Sequence, residues 1–276
     1  SNAFGYNNTA SGNYTNAIGY NNQAQAFAAS AIGYQNKATA SAVSASAVGR
    51  SNEVSNEYAN AFGALNKASG SSSSAFGVNN NASGSFASAL GYQNTTAGYL
   101  GSAVGASNNA SANYASAFGY VNEASGLASS ALGFRNKAAN ENASAVGYGN
   151  NAGGVASSAF GFSNVAKVDY ASAFGYSNEA SGLASSAVGF RNKAASENAS
   201  AIGYGNNANA LAASAVGYNN TAGGVGSSTI GYNNTATNEN ASAFGYGNTA
   251  GGLASSAFGF SNTASGDNAN AFGYNN

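Results

Sequence analysis

Apolar and polar positions recur along this chain in a fixed unit. With the glycine of each Ala-Phe-Gly or Ala-Val-Gly triplet set as position 0, that glycine falls at Gly5, Gly19, Gly33, Gly49 and onward to Gly273, 20 times in all. Eighteen of the 19 intervals are 14 residues; the interval from Gly33 to Gly49 is 16, through Ala42-Val43-Ser44-Ala45. Position −1 is always apolar, as in Phe4, Ile18 and Val48. Position −2 is Ala except at Thr229, and position −3 is Ser or Asn. Position +1 is aromatic in 16 of 20 units, mostly Tyr. Position +3 is Asn in every unit, and +5 is Ala except at Val54 and Thr96.

Fourteen residues are too few for a helix pair, and the period matches no helical repeat. The alternation in Ser-Ala-Phe-Gly-Tyr, with its aromatic and β-branched residues, predicts a strand. A second short strand is expected from +4, with Gly and Asn supplying the turns because both tolerate positive φ. Each strand then pairs with its copy in the next coil at about 4.8 Å. Twenty such coils predict an all-β parallel β-solenoid about 95 Å long. No linker or shift in composition interrupts it, so residues 1–276 read as one continuous domain. Ser1-Asn2-Ala3 reads as a tag remnant, although Asn2 and Ala3 also fit the unit. The chain stops mid-unit at Asn276 and so reads as a fragment of something longer.

The charged residues orient the coil. Position +4 runs Lys37, Glu53, Lys67 in successive units, then Glu123 and Lys137, then Glu179 and Lys193. Opposite charges in neighbouring coils are expected about 5 Å apart, close enough to pair. Position +8 carries Glu57, Glu141, Asp169, Glu197, Glu239 and Asp267. Positions +4 and +8 are therefore expected to face water, and +5 and +7, mostly Ala or Gly, to face in. Ala at −2 joins them inside, which leaves the apolar −1 residues on the opposite face. Phe62, Phe76, Phe118, Phe160, Phe174, Phe244 and Phe258 would then form a face too apolar to leave in water. That face predicts an oligomer, with these phenylalanines as interface candidates. The reversed assignment of the two faces is the alternative the pattern leaves open.

Composition narrows the function. Charged residues are 6% of the chain, against about 25% in an ordinary soluble domain. Net charge is −1 and aromatics are 12%, which favours ordered repeats over a disordered low-complexity chain. No basic stripe exists to neutralise phosphates, and no run of about 18 apolar residues exists to span a bilayer. His and Cys are absent, so the commonest general base, the thiol nucleophile, disulfides and the usual zinc ligands are all missing. The Gly-rich stretches lack the Lys-Ser/Thr of a phosphate loop, and a repeating Asp for a calcium-binding roll is also lacking. No catalytic, metal or cofactor site is expected, and no enzyme.

The run Asn16 to Asn22, Asn-Ala-Ile-Gly-Tyr-Asn-Asn, and copies such as Ser214 to Asn220 resemble the S-x-A-I-G repeats of trimeric autotransporter adhesin heads, which include the YadA-like heads. The resemblance covers essentially the whole chain at a fixed period. It implies a left-handed parallel β-roll, three chains around one axis, and a place on a Gram-negative cell surface. It further implies a head carried on a stalk anchored in the outer membrane, neither stalk nor anchor being visible here. It also implies attachment to host matrix proteins, cells or abiotic surfaces, and autoagglutination. Many such heads carry a branched apolar residue where this chain has Ser or Asn at −3, which leaves open the face that meets the trimer axis.

Three columns are candidates for function. Asn8, Asn22, Asn36, Asn52, Asn66, Asn80, Asn94, Asn108, Asn122 and Asn136 open the +3 column. It reads as a structural turn ladder, with ion or ligand binding as the other reading. The Tyr column at +1 reads as stacking or interface, with a sugar platform as the other reading. Position +8 alternates through Leu127, Glu141, Val155, Asp169, Leu183 and Glu197, within a 56-residue super-repeat shared by units 119–174 and 175–230. Such a stripe suits either a repetitive ligand gripped at many weak points or a seam between chains. Two other functions compete with adhesion: a structural spacer, and an ice- or mineral-binding solenoid, for which the usual Thr ladder is missing.

Overall fold

A computed structural model describes residues 1–276 as two compact units, Ser1–Ala138 and Ala139–Asn276. Each is an all-β parallel solenoid of coils about 14 residues long, with no helix. In the first unit the long strands run from Asn2–Tyr6 to Ser130–Phe134 and the short ones from Thr9–Ala10 to Lys137–Ala138. In the second, the long strands run from Ser144–Tyr148 to Asn270–Tyr274 and the short ones from Asn151–Ala152 to Thr263–Ala264. Every strand pairs in parallel with its copy, column on column: Ser172 with Ser186, Ala173 with Ala187, Phe174 with Val188, Gly175 with Gly189 and Tyr176 with Phe190. Identical residues therefore stack because the period sets the register.

The coil interior is narrow and built from small side chains. Ala at −2 and +5 is fully buried in almost every coil, as at Ala173 and Ala180. Position +7 is buried at its glycines away from the first and last coils, as at Gly154 and Gly182. A further inward column lies at −4, where Ala171, Ser185 and Ala199 are fully buried. The 16-residue coil keeps the register of its neighbours, Ser30 opposite Ser46, so its extra residues are taken up in the turn. Ala42 and Ala45 of that turn share a buried cluster with Val54, and Val43 packs against it. Val54, the bulkiest fully buried side chain, replaces the usual Ala in the coil that follows the longer one, where it pairs with Ala38.

The turns sit elsewhere than the invariant Gly and Asn columns suggest. Left-handed residues recur every seven positions, at +2 and +9: Ser177, Ala184, Arg191 and Asn198 have φ of 53°, 52°, 53° and 56°. The coil is thus two quasi-equivalent halves of seven residues, each ending in one such kink. Each kink resets the alternation, so inward positions fall at +3, +5 and +7 and again at −4, −2 and 0. Leu65, Val121, Arg135 and Tyr170 occupy the kinks as well as Asn and Gly. A non-Gly residue there costs about 1–2 kcal/mol. The cost is offset by coil-to-coil hydrogen bonds from the kinked residue, such as Arg191 N–H to Tyr176 C=O at 2.9 Å.

Candidate functional site

The +3 asparagines form a continuous buried column within each unit. Asn22 through Asn136 in the first unit, and Asn150 through Asn262 in the second, are no more than 1% exposed; Asn8, in the first coil, is half-buried. In the second unit, Asn206 shows the bonding. Its Nδ2 lies 3.0 Å from Asn192 Oδ1, 2.8 Å from the Ile202 carbonyl and 2.7 Å from the Gly217 carbonyl of the next coil. Its backbone N–H also donates to Asn192 Oδ1, at 3.0 Å. Its own Oδ1 accepts both N–H and Nδ2 of Asn220. Each amide therefore satisfies the −1 carbonyl of its own coil and the glycine carbonyl of the next, and ties three coils together. The column does not itself adopt positive φ, since the kink is one residue earlier. With its donors and acceptors engaged and its side chains out of water, it presents nothing to a ligand.

The outer face of the long strands is apolar. Positions −1 and +1 both point outward, on either side of the glycine at 0. Phe118, Val188, Ile202 and Ile230 of the −1 column are 36–45% exposed, and Phe62, Phe76, Phe160, Phe174, Phe244 and Phe258 are half-buried. Phe160 stacks on Phe174 with ring centroids 5.2 Å apart, and Phe244 on Phe258 at 4.8 Å.

Beside them, the +1 rings of the second unit run without a break from Tyr148 to Tyr274. Centroids are 4.7–5.0 Å apart and planes within 3–8°. In the first unit this column is interrupted at Arg50, Ala64, Val78 and Ala106. Face-to-face stacking covers each ring's π faces with its neighbours, so only ring edges meet solvent. A sugar platform needs an open face, and the ladder offers none along its length. Arg191 lies over the Phe190 ring at 5.0 Å, reaching back from the kink.

The +8 stripe lies on the outer wall. Leu127 in the first unit, and Glu141, Asp169, Leu183 and Glu197 in the second, are exposed; Val155 is half-buried. Asp169 Oδ1 accepts the Val155 backbone N–H at 2.8 Å, and Asp267 Oδ1 that of Leu253 at 2.9 Å. These two aspartates are turned back onto the preceding coil, whereas the glutamates of the column make no such bond. At +4 the expected cross-coil partners do lie opposite each other: Lys37 and Glu53, Glu123 and Lys137, Glu179 and Lys193. Only Lys137 and Glu123 close to ion-pair distance, 3.2 Å. Both are nearly half exposed, where such a pair contributes about 0–1 kcal/mol.

Nowhere do three His, Cys, Asp or Glu side chains gather. A surface hollow in the first unit is lined by Ser51, Glu53, Leu65, Lys67 and Asn81.

One sequence signal passes unread without the structure. Ser or Thr occurs at −4 only when the same turn carries Gly at +7, as in Gly126/Ser129, Gly154/Ser157 and Gly182/Ser185. The Ser157 hydroxyl donates to the Gly154 carbonyl at 2.7 Å and accepts the Gly154 N–H at 3.1 Å. Turns with a larger +7 residue, such as Val168, carry Ala at −4. The two columns share one small volume, and the serine fills it where glycine leaves room.

Against known families, the model described as the YadA head domain repeat (2 copies) matches residues 3–22, 68–94, 124–150, 152–178, 180–206, 195–220, 222–248 and 250–276. These stretches cover well over half of the chain, and most span about two coils. No curated protein matches the chain.

Proposed function

This chain belongs to the YadA head repeat family, and from that premise we propose that it is the head of a trimeric autotransporter adhesin. Three copies pack side by side through the outer faces of their long strands. The head attaches the bacterium to host matrix proteins, cells or surfaces, and to sister bacteria. It is displayed at the cell surface on a stalk tethered to the outer membrane. Family membership implies a surface-exposed, non-enzymatic adhesin architecture. The trimer, the left-handed winding, a single continuous domain over 1–276 and the choice of target are the further steps of this reading.

One observation carries the assembly. Apolar −1 side chains and stacked +1 rings stand on the same outer face, while the coil interior is already filled by Ala and Asn. So much exposed apolar surface marks an interaction face. Phe160, Phe174, Phe244 and Phe258 are its central candidates in the second unit, and Phe62, Phe76 and Phe118 in the first. The test is molecular mass by light scattering. Three times the 26.8 kDa chain is expected, and a monomer overturns the assembly.

For adhesion, binding is expected to at least one immobilised protein among collagen, fibronectin and laminin. Failure on all of them, and on whole cells, would leave a spacer. The +8 stripe is the proposed contact, because its alternating apolar and acidic residues repeat and so suit a repetitive partner. Reversing charge at Glu141, Asp169 and Glu197 is expected to weaken adhesion at least tenfold, the loss of about 1.4 kcal/mol spread over three contacts. Unchanged adhesion by an intact trimer assigns the stripe to a seam instead.

A further inference from the structure

The hollow in the first unit has two walls, and register builds both. Ser51, Leu65 and Asn79 stand at +2 in three successive coils, and Glu53, Lys67 and Asn81 at +4. Strand pairing sets Lys67 between Glu53 and Asn81, one coil, about 4.8 Å, from each. The space between the walls is about 340 Å³, at the small end of ligand sites. It lies past the +2 kink, off the long-strand face and off the +8 stripe. Packing of copies through their long strands therefore leaves it open.

Its polar groups are uncommitted. Glu53 and Lys67 are neighbours of opposite charge, yet they do not close to an ion pair. Asn81 Oδ1 is buried without a hydrogen-bond partner. A second observation is independent of this hollow. The same run, Glu179, Lys193 and Asn207, stacks in register in the second unit, and Asn207 Oδ1 is likewise buried and unpartnered. Asn81 and Asn207 are the two +4 side chains with such an atom, and each follows a lysine that follows a glutamate. An acceptor shut away without a donor costs the free chain a hydrogen bond. A turn of the amide toward the hollow lets a ligand hydroxyl restore it.

We propose that the Glu-Lys-Asn run at +4 binds an acidic saccharide, a sugar ring carrying a carboxylate. The Lys67 ammonium has three donors and no acceptor, and it takes the carboxylate. The Glu53 carboxylate only accepts, and with Asn81 Oδ1 it takes ring hydroxyls. Ser51 and Asn79, across the hollow, receive or give further hydrogen bonds, and Leu65 meets the C–H face of the ring. A carboxylic acid without hydroxyls leaves Glu53 and Asn81 without donors. A neutral sugar leaves Lys67 without its anion. In the second unit Arg191 stands at the place of Leu65, which sets a second cation beside Lys193. The inference rests neither on the trimer nor on the choice of protein target.

The test titrates the full chain with methyl glucuronide and reads saturation transfer to its ring protons by NMR. Binding at about 1 mM is expected, with methyl glucoside and glutarate each at least tenfold weaker. The variant K67Q/K193Q replaces two exposed side chains and spares the buried columns. It is expected to weaken the glucuronide at least tenfold and to leave the glucoside unchanged. Asn81→Ala with Asn207→Ala is expected to weaken it about fivefold, the worth of one hydrogen bond. Three outcomes overturn the proposal: no transfer to the glucuronide, glucoside or glutarate bound as tightly, or unchanged binding by K67Q/K193Q.

Discussion

Replacing Asn206 by alanine is expected to destabilise the second unit by about 3–5 kcal/mol, a large effect for one residue. The loss is not one contact. It strands the Ile202 and Gly217 carbonyls and the Asn220 N–H, all in a column closed to water, and takes one of its two donors from Asn192 Oδ1. Each buried polar group left unpaired costs about 1–3 kcal/mol, and relaxation recovers part of the sum. In a solenoid each coil touches only its neighbours, so the damage stays local. Denaturant unfolding should show the lower stability, and hydrogen exchange should place it in the coils around Asn206.

Aspartate at the same site separates hydrogen bonding from shape. Asn206→Asp keeps the volume but points a carboxylate at two carbonyl oxygens and at Asn192 Oδ1. Burial and those oxygens raise its folded pKa above the unfolded value of about 3.9. The folded state then holds its proton longer than the unfolded chain does. Stability is therefore greatest below about pH 4 and falls as pH rises toward the folded pKa. A thermal scan at low and neutral pH checks the sign.

The 14-residue unit is legible because stacking forces one residue type into one column wherever the backbone leaves a single choice. Ala at −2 and +5 and Gly at 0 are such places, and they announce a narrow coil. The bulky −1 residues announce an outer face by exclusion, since no coil of Ala and Asn has room for Phe174. The kinks at +2 and +9 are illegible for the opposite reason. Their side chains point to solvent and the hydrogen-bond ladder offsets their strain, so Leu65, Arg135 and Asn219 serve equally and leave no pattern. The seven-residue half-unit is hidden with them. The +3 column is legible as a ladder but not as a buried one: asparagine is usually a surface turn residue, and only the coordinates show each amide engaged inside. The −4 column hides because Ser and Ala are mixed there, Ser entering only beside a Gly at +7, three positions earlier.

Two glycine substitutions of identical chemistry are expected to diverge sharply, which tests whether column 0 is fixed by backbone geometry or merely by small size. Gly189 has φ of 117°, outside the left-handed helical well, and a Cβ built there would lie 2.1 Å from the Gly203 carbonyl oxygen of the next coil. Gly247 is also at positive φ, 64°, but in that well, and its nearest neighbour to a Cβ is Ser261 Oγ at 3.5 Å. Gly247→Ala joins the many non-Gly residues already at +2 and should cost about 1 kcal/mol. Gly189→Ala combines a conformation that is essentially glycine-only, about 1–3 kcal/mol, with overpacking of similar size. The clash is with backbone, so no rotamer relieves it. The next coil must move away, lengthening the pairing of Ser186–Phe190 with Ser200–Tyr204 and opening the Phe190–Tyr204 stack, now 4.8 Å. A loss of about 3–5 kcal/mol is expected for Gly189→Ala by denaturant unfolding. Equal costs for the two variants would mean that coil spacing is soft enough to admit a methyl group, and that column 0 is glycine for some reason other than the close approach of stacked backbones.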